Sequence, residues 1–398
     1  MMGVTVMNIN NKWFRGAIPA LLIHCSIGSV YAWSLFATRI SQYINKTPQQ
    51  VQFAFSLAIF FLGMSAAFGG KLVEHNIKKS SLLSMVFFCS GLVLTSISIA
   101  YKSLFGIYIG YGFLMGIGLG IGYITPVKTL MLWFKDQKGL ATGIAITGFG
   151  FASTIASPLI TFFTSNFSLS KTFVLLSLVY ILPMTIAHFL IKKPDGYVEP
   201  VGDEGFKNGE MFKNKTFIAI WVMLYINISC GLALISVASP IMDEIKLSVG
   251  VIATVIAVMG LFNGAGRLIF SAASDRMRDR SNIYKFIFGL SVFIITLTLF
   301  NNKLIVIALF VISACYGAGF SNLPSLLSDK FGMKNISKTH GLSLTAWAIA
   351  GLTGNQISAF IKVKTGSYLN VLMVLVIAYS IGFLICATML RSKKDMLE

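Results

Sequence analysis

Charge is scarce in this chain. Asp, Glu, Lys and Arg make up 12% of its 398 residues, where soluble domains carry about 25%, so it cannot cover the water-facing surface of one or two soluble domains. A soluble enzyme is thereby excluded. Acids are scarcer still, 14 against 32 Lys and Arg. The five cysteines (Cys25, Cys89, Cys230, Cys315 and Cys386) each lie inside an apolar run, and their odd number and spacing fit neither a disulfide framework nor a metal site. The chain has no nucleophile motif and no Gly-x-x-x-x-Gly-Lys-Ser/Thr phosphate loop, so neither catalysis nor ATP-driven transport has support and no cofactor is expected.

What the chain has in abundance is apolar sequence, at 56% of residues. It comes in runs of roughly 20, each long enough to cross a hydrocarbon core of about 30 Å as an α-helix. Reading runs against polar breaks predicts twelve spans: 15–38, 51–71, 81–101, 104–133, 139–165, 171–191, 215–242, 248–274, 283–300, 304–327, 340–361 and 369–390. The first run follows Lys12 and Arg15 and continues to Ala37 without a cleavage-like end, so it stays as a membrane helix rather than a signal peptide. The longest polar stretch, 192–214, holds Pro194, Gly196, Pro200, Gly202, Gly205 and Gly209 and reads as a linker. It divides the chain into halves 1–191 and 215–398.

A formal charge of +18 raises the question of a nucleic-acid partner, but the distribution of the cations answers it. With both termini placed in the cytoplasm, the cytoplasmic segments hold 22 Lys/Arg and the external ones 8, which is the positive-inside bias of a multi-pass protein in the plasma membrane. No nucleic acid is needed to explain it. The two cations left over are Lys128 and Arg267.

Landmarks repeat across the two halves. The second span ends in Gly70-Lys71-Leu72-Val73-Glu74-His75-Asn76-Ile77-Lys78-Lys79 and the eighth in Ser271-Ala272-Ala273-Ser274-Asp275-Arg276-Met277-Arg278-Asp279-Arg280, with Glu74 and Asp275 201 residues apart. Gly139-Leu140 and Gly341-Leu342, opening the fifth and eleventh spans, are 202 apart. Two landmark pairs at nearly one offset fit two parallel repeats. At these residues the sequence resembles the major facilitator superfamily, whose signature loop reads Gly-x-x-x-Asp-Arg-x-Gly-Arg-Lys/Arg. The first copy departs from it at Glu74, His75 and Ile77; the second keeps Asp275, Arg276 and Arg280. The segments from Gly118 to Pro126, Trp133 to Gly143, Leu261 to Arg267 and Leu323 to Gly332 are similar to the oxalate:formate antiporter family, which includes bacterial L-lactate transporters. The resemblance runs from Trp13 to the last span and implies an all-α fold of twelve transmembrane helices in two six-helix halves, both termini cytoplasmic.

An ionisable side chain at membrane depth costs about 2.5–3.5 kcal/mol on insertion scales and should face a cavity or a partner. Arg267 lies eight residues before Asp275, about 12 Å into its helix, and no acid of the chain is placed at that depth. Its planar fork suits a carboxylate. Asn263, one turn earlier, shares its face. Structural pairing with carbonyls or an end-of-helix acid is the alternative. In the lactate transporters that the chain resembles, this Asn/Arg pair holds the substrate carboxylate, and Gly260, Gly264 and Gly266 are expected to serve ordinary helix packing.

Lys128 is about 7.5 Å from its interface and either snorkels to cytoplasmic water or supplies a second cavity cation. The oxalate-specific member of the family uses two cations, and the position matching its eleventh-helix Lys is Trp347 here. The dianion clamp is therefore absent unless Lys128 replaces it. Tyr31, Tyr123, Tyr316 and Phe320 occupy family positions that line the site, where phenols donate to a carboxylate and rings exclude water. His24 is read as the one histidine deep in the hydrocarbon region and is the candidate for proton coupling, with neutral packing as the plainer role; His75 and His340 are assigned to loops. Glu74, Asp275 and Arg276 are expected to latch the halves. The expected function is secondary transport of a small carboxylate anion, with or without a proton, by a bilayer-embedded monomer. A dicarboxylate exchanger using Lys128 with Arg267, or a non-transporting carboxylate sensor, are the alternatives.

Overall fold

The computed structural model describes residues 11–197, 208–333 and 336–390. Part of the expected linker (198–207), the basic residue Lys334 and the C-terminal charges from Arg391 to Glu398 lie outside the described residues. Among the described residues there is no strand. The helices are α1 (Ile18–Ile27), α2 (Ser34–Ile44), α3 (Pro48–His75), α4 (Ile77–Ala100), α5 (Leu104–Ile107), α6 (Gly116–Trp133), α7 (Lys138–Asn166), α8 (Leu169–Leu190), α9 (Asn208–Met211), α10 (Lys215–Glu244), α11 (Val249–Ser274), α12 (Ser281–Phe300), α13 (Ile305–Phe331), α14 (Ile336–Ser343), α15 (Thr345–Thr365) and α16 (Tyr368–Met389). Wider-wound turns at Trp13–Ala17 and Tyr108–Met115 and a tighter 3₁₀ stretch at Gly28–Trp33 join neighbouring pieces into continuous rods.

Helix ends follow the polar residues of the breaks. Thr47 and Gln50 form a reciprocal capping box at the start of α3, and Asn76, Ser168, Asn214, Ser248 and Ser367 cap α4, α8, α10, α11 and α16. Eleven of these rods are long and apolar enough to cross a membrane. The expected span 340–361 is the exception. It is built from α14 and α15, and α15 carries Asn355, Gln356, Lys362 and Lys364, too polar to join the set. The two pieces join at Leu344, whose N–H is shared between His340 O at 3.1 Å and Gly341 O at 3.0 Å, a tightened turn, and the Ser343 and Thr345 hydroxyls bond the carbonyls of His340 and Leu342 at 2.7 Å on either side of it.

The outside of the bundle is apolar. Phe300 (86% exposed), Phe105 (73%) and Phe68 (69%) are typical of a surface that lipid, not water, must cover. Inside, α1 packs on α7, α3 on α6 and α4 on α8; later in the chain α10 packs on α15, α11 on α13 and α12 on α16. The two sets meet along two seams, α7 with α11 and α3 with α14 and α15.

Close packing between rods depends on small residues. At Gly118 in α6, a Cβ would fall on the Phe88 backbone nitrogen of α4 and 2.8 Å from Ser84 O. Gly118→Val should therefore destabilise the protein by about 1–3 kcal/mol as overpacking, read as an earlier thermal unfolding transition in detergent. An unchanged transition would show that this helix pair is not packed as described.

Candidate functional site

The centre of the bundle, between the two seams, is organised by one cation. Arg267 on α11 is completely buried. Its Nε donates to Asn263 Oδ1 at 2.8 Å, one helical turn away, and Nη1 donates to Ile146 O of α7 at 3.4 Å. Nη2 donates to nothing among the described residues. The side chain reaches this position because glycines clear its path. A Cβ at Gly150 of α7 would lie 3.2 Å from Nε, and one at Gly317 of α13 would overlap Asn263 O and sit 3.0 Å from Arg267 Cγ.

Aromatic rings wall the guanidinium. Cζ lies 5.4 Å from the Phe320 ring centre and 6.0 Å from that of Phe149, within cation–π range. Trp347 of α15 packs on Phe320 at 4.5 Å, Tyr123 at 5.4 Å and Phe149 at 5.9 Å. Among the described residues the Tyr123 hydroxyl and the Trp347 Nε1, both buried, also lack a partner. Three unpartnered donors thus share one dry aromatic enclosure, which is an arrangement complementary to an anion with more than one oxygen. Tyr31 in the 3₁₀ stretch and Tyr316 of α13 approach hydroxyl to hydroxyl at 3.5 Å, spanning the two sets of helices.

Arg267, Asn263, Tyr123, Tyr31, Tyr316, Phe320 and Trp347 are therefore brought together. Lys128 is not among them. Its ammonium is bound to Glu74, and both side chains are buried. The expectation that it snorkels or faces the cavity, and the placing of Glu74 in a loop, both give way for one reason: α3 continues to His75, past the predicted end at 71, and carries the carboxylate along α6. Sequence reasoning also missed Phe149, hidden between Gly148 and Gly150 with no motif to mark it. His340, expected in a loop, lies on α14, 2% exposed, its ring 5.9 Å from that of Tyr123 and its Nε2 without a partner among the described residues. The polar run Ser337-Lys338-Thr339 before it masks the helix in the sequence. His24 is buried with Nδ1 against Ala145 O and Nε2 3.1 Å from Tyr123 O.

Each seam is closed at the basic face, the one that holds Lys71, Lys78, Lys138 and Arg276, by a carboxylate on a helix start. Glu74 Oε1 accepts from Ser337 N at 2.7 Å in the first turn of α14. Asp275 accepts from Gly139 N and Leu140 N, each at 2.8 Å, at the start of α7. Helix starts present free N–H groups and a positive dipole end, so both contacts are favourable. The pair 201 residues apart in sequence does the same work twice. Thr142 and Ser325 hydroxyls at 3.1 Å and Lys138 Nζ to Ser328 Oγ at 2.8 Å add to the second seam. Arg276, expected in this latch, is exposed. The ion pairs there are made by Arg280, which bonds Asp275 at 2.7 Å and Asp329 at 2.6 Å, because the chain turns at Arg276 and brings Arg280 back over the end of α11.

Comparison with known proteins agrees with this architecture. Residues 20–355 match the Major Facilitator Superfamily. The chain is 25% identical to the oxalate:formate antiporter of Oxalobacter formigenes over 98% of its own length and 95% of that protein's. It is also 25% identical to the uncharacterised MFS-type transporter YhjX of Escherichia coli (strain K12), covering 88% of each. Among solved structures it is similar to a bacterial homologue of the iron transporter ferroportin in its outward-facing state (TM-score 0.73, 14% identity, 93% and 98% covered). It is likewise similar to the Escherichia coli fucose:proton symporter FucP (TM-score 0.67, 14% identity, 94% and 99% covered). With the family matched over most of its length and the fold shared with these transporters, this multi-pass membrane protein belongs to the Major Facilitator Superfamily of transporters.

Proposed function

We propose that the chain is a secondary carrier of small organic monocarboxylates such as lactate, pyruvate or formate, working as a monomer in the plasma membrane by alternating access, as a proton-coupled symporter or an anion exchanger. One observation carries the reading: a fully buried guanidinium with an unpartnered Nη2, beside two other unpartnered donors and no paired carboxylate among the described residues. A visiting carboxylate completes that set. One of its oxygens takes Nη2; Tyr123 and Trp347 donate to the other, while Asn263 fixes the fork through Nε. Neutralising Arg267 also lowers the cost of carrying its charge through a closed intermediate. The halves 1–191 and 215–398 rock about this point, with the Glu74 and Asp275 contacts as the cytoplasmic latch and the Tyr31–Tyr316 approach as the external one.

A second reading is favoured by the relative named as an oxalate:formate antiporter: exchange of a dicarboxylate. Against it stands the occupation of Lys128 by Glu74, which leaves one available cation in the enclosure, with Trp347 at the position where the resemblance implies a Lys. Inhibition of labelled lactate or formate uptake by oxalate as strong as by unlabelled monocarboxylate would decide for the dicarboxylate.

In proteoliposomes offered a panel of one- to four-carbon carboxylates, Arg267→Gln should raise the half-saturation concentration roughly 100-fold, about 3 kcal/mol for losing a buried charged partner. Arg267→Lys should fall between, because it keeps the charge but not the fork. Undiminished flux of every acid in Arg267→Gln would overturn the reading.

Glu74→Gln should cost about 3–5 kcal/mol, since it strands the Lys128 ammonium in a dry seam, and should lower the unfolding temperature. Adding Lys128→Met should recover most of that loss. Recovery of stability without recovery of flux would separate the latch role of Glu74 from its pairing role.

A further inference from the structure

We propose that His340 is a pH-sensitive gate of this carrier, taking up a proton from the cytoplasm when the basic-face seam opens and giving it back before the seam can close. The proposal rests on the alternating-access reading and deepens it. His340 stands on α14, three residues after Ser337, whose N–H holds the Glu74 carboxylate. It also faces across the seam, because its ring touches Tyr123 of α6, in the other set of helices. Opening the seam breaks the Glu74–Ser337 contact and draws α14 away from α3 and α6. The same movement that opens the cytoplasmic path therefore wets His340.

With the seam closed, an imidazolium at this point has no free carboxylate to pair with among the described residues. From α3 the nearest carboxylate is Glu74, and both its oxygens are committed, one to Lys128 and one to Ser337 N. From α6 come Tyr123 and Lys128. Behind Tyr123 stands His24, itself enclosed by carbonyls. The charges of α13, Asp329 and Lys330, are engaged with Arg280, Lys138 and Asp279. Those of α10 and α15 (Lys215, Asp243, Glu244, Lys362 and Lys364) sit at helix ends. On α14 itself the other charge is Lys338, another cation. Burying an unpaired ion is costly, so a protonated His340 holds the seam open, and a neutral one allows it to shut with Nε2 dry and unpartnered, as in this structure.

His24 does not fit this role. Its two carbonyl partners, on α6 and α7, belong to the same set of helices as α1, and rocking leaves them in place. A residue that gates the seam must change its surroundings between the two states. His340 does and His24 does not.

The test reads the seam itself. In a background with the five native cysteines replaced, Ser337→Cys reports opening, since Ser337 is 2% exposed when the seam is shut. Labelling by a membrane-impermeant maleimide from the cytoplasmic side is measured at pH 8 and pH 5.5 and normalised to Arg276→Cys, an exposed position on the same face. This normalisation removes the pH dependence of the reagent. With His340 present, labelling should rise about tenfold on acidification, across the range in which exposed imidazole takes up its proton. In H340N it should stay low at both pH values, and in H340K, a fixed cation, high at both. The same acid-induced rise in H340N, or no rise with His340 in place, would overturn the proposal. Because the readout does not use substrate flux, its failure is distinct from a failure of the Arg267→Gln uptake experiment.

Discussion

The structure depends on keeping one guanidinium dry without giving it a counter-ion. A buried cation is normally matched by an acid. Here Arg267 is instead held by an amide on its own helix, a backbone carbonyl of α7 and two aromatic faces. These neutral partners are enough to orient the fork but do not cancel its charge. The rest of the centre follows from that deficit: the small residues that let three helices crowd the side chain, the ring wall that keeps lipid and water away, and the unpartnered donors of Tyr123 and Trp347. The carboxylate of the proposed function would supply the opposite charge and the acceptor oxygens for this set of donors.

The acids of the chain are spent elsewhere. Glu74 and Asp275 close the two seams by capping helix starts from the opposite set of helices. A capping contact suits a latch because it is worth little by itself and is lost when the helix end moves away. The two seam contacts are not equal. Asp275 is tied into a partly exposed network with Arg280, whereas Glu74 is buried with Lys128, in a drier setting where breaking the contact leaves more charge to be rehydrated. His340 lies on the Glu74 side, so the seam with the larger electrostatic stake also holds the titratable group.

Much of this was legible in order of residues alone. The scarcity of charge, the lengths of the apolar runs and the lopsided distribution of Lys and Arg determine a multi-pass membrane protein, because lipid admits only helices with their backbone groups paired internally. The repeated landmarks near Glu74 and Asp275 and at the two Gly-Leu pairs mark the internal symmetry. Arg267 and Asn263 could be picked out because an unmatched cation deep in an apolar run is conspicuous, and a spacing of four residues puts both on one helix face.

Tertiary structure decided what each polar residue is for. Lys128 and Arg267 are the same kind of exception in the sequence, yet among the described residues one meets Glu74 and the other meets no acid, and the extension of α3 past residue 71 is what brings Glu74 to Lys128. His340 rather than His24 is the proposed gate for a similar reason: His24 is enclosed within a single set of helices, while His340, preceded by polar residues that look like a loop, lies on a broken helix at the seam. Period and hydropathy report the environment averaged along one helix. Partner choice between helices is set by where two helices cross and in which register, and a few residues' difference in helix length changes which charges meet.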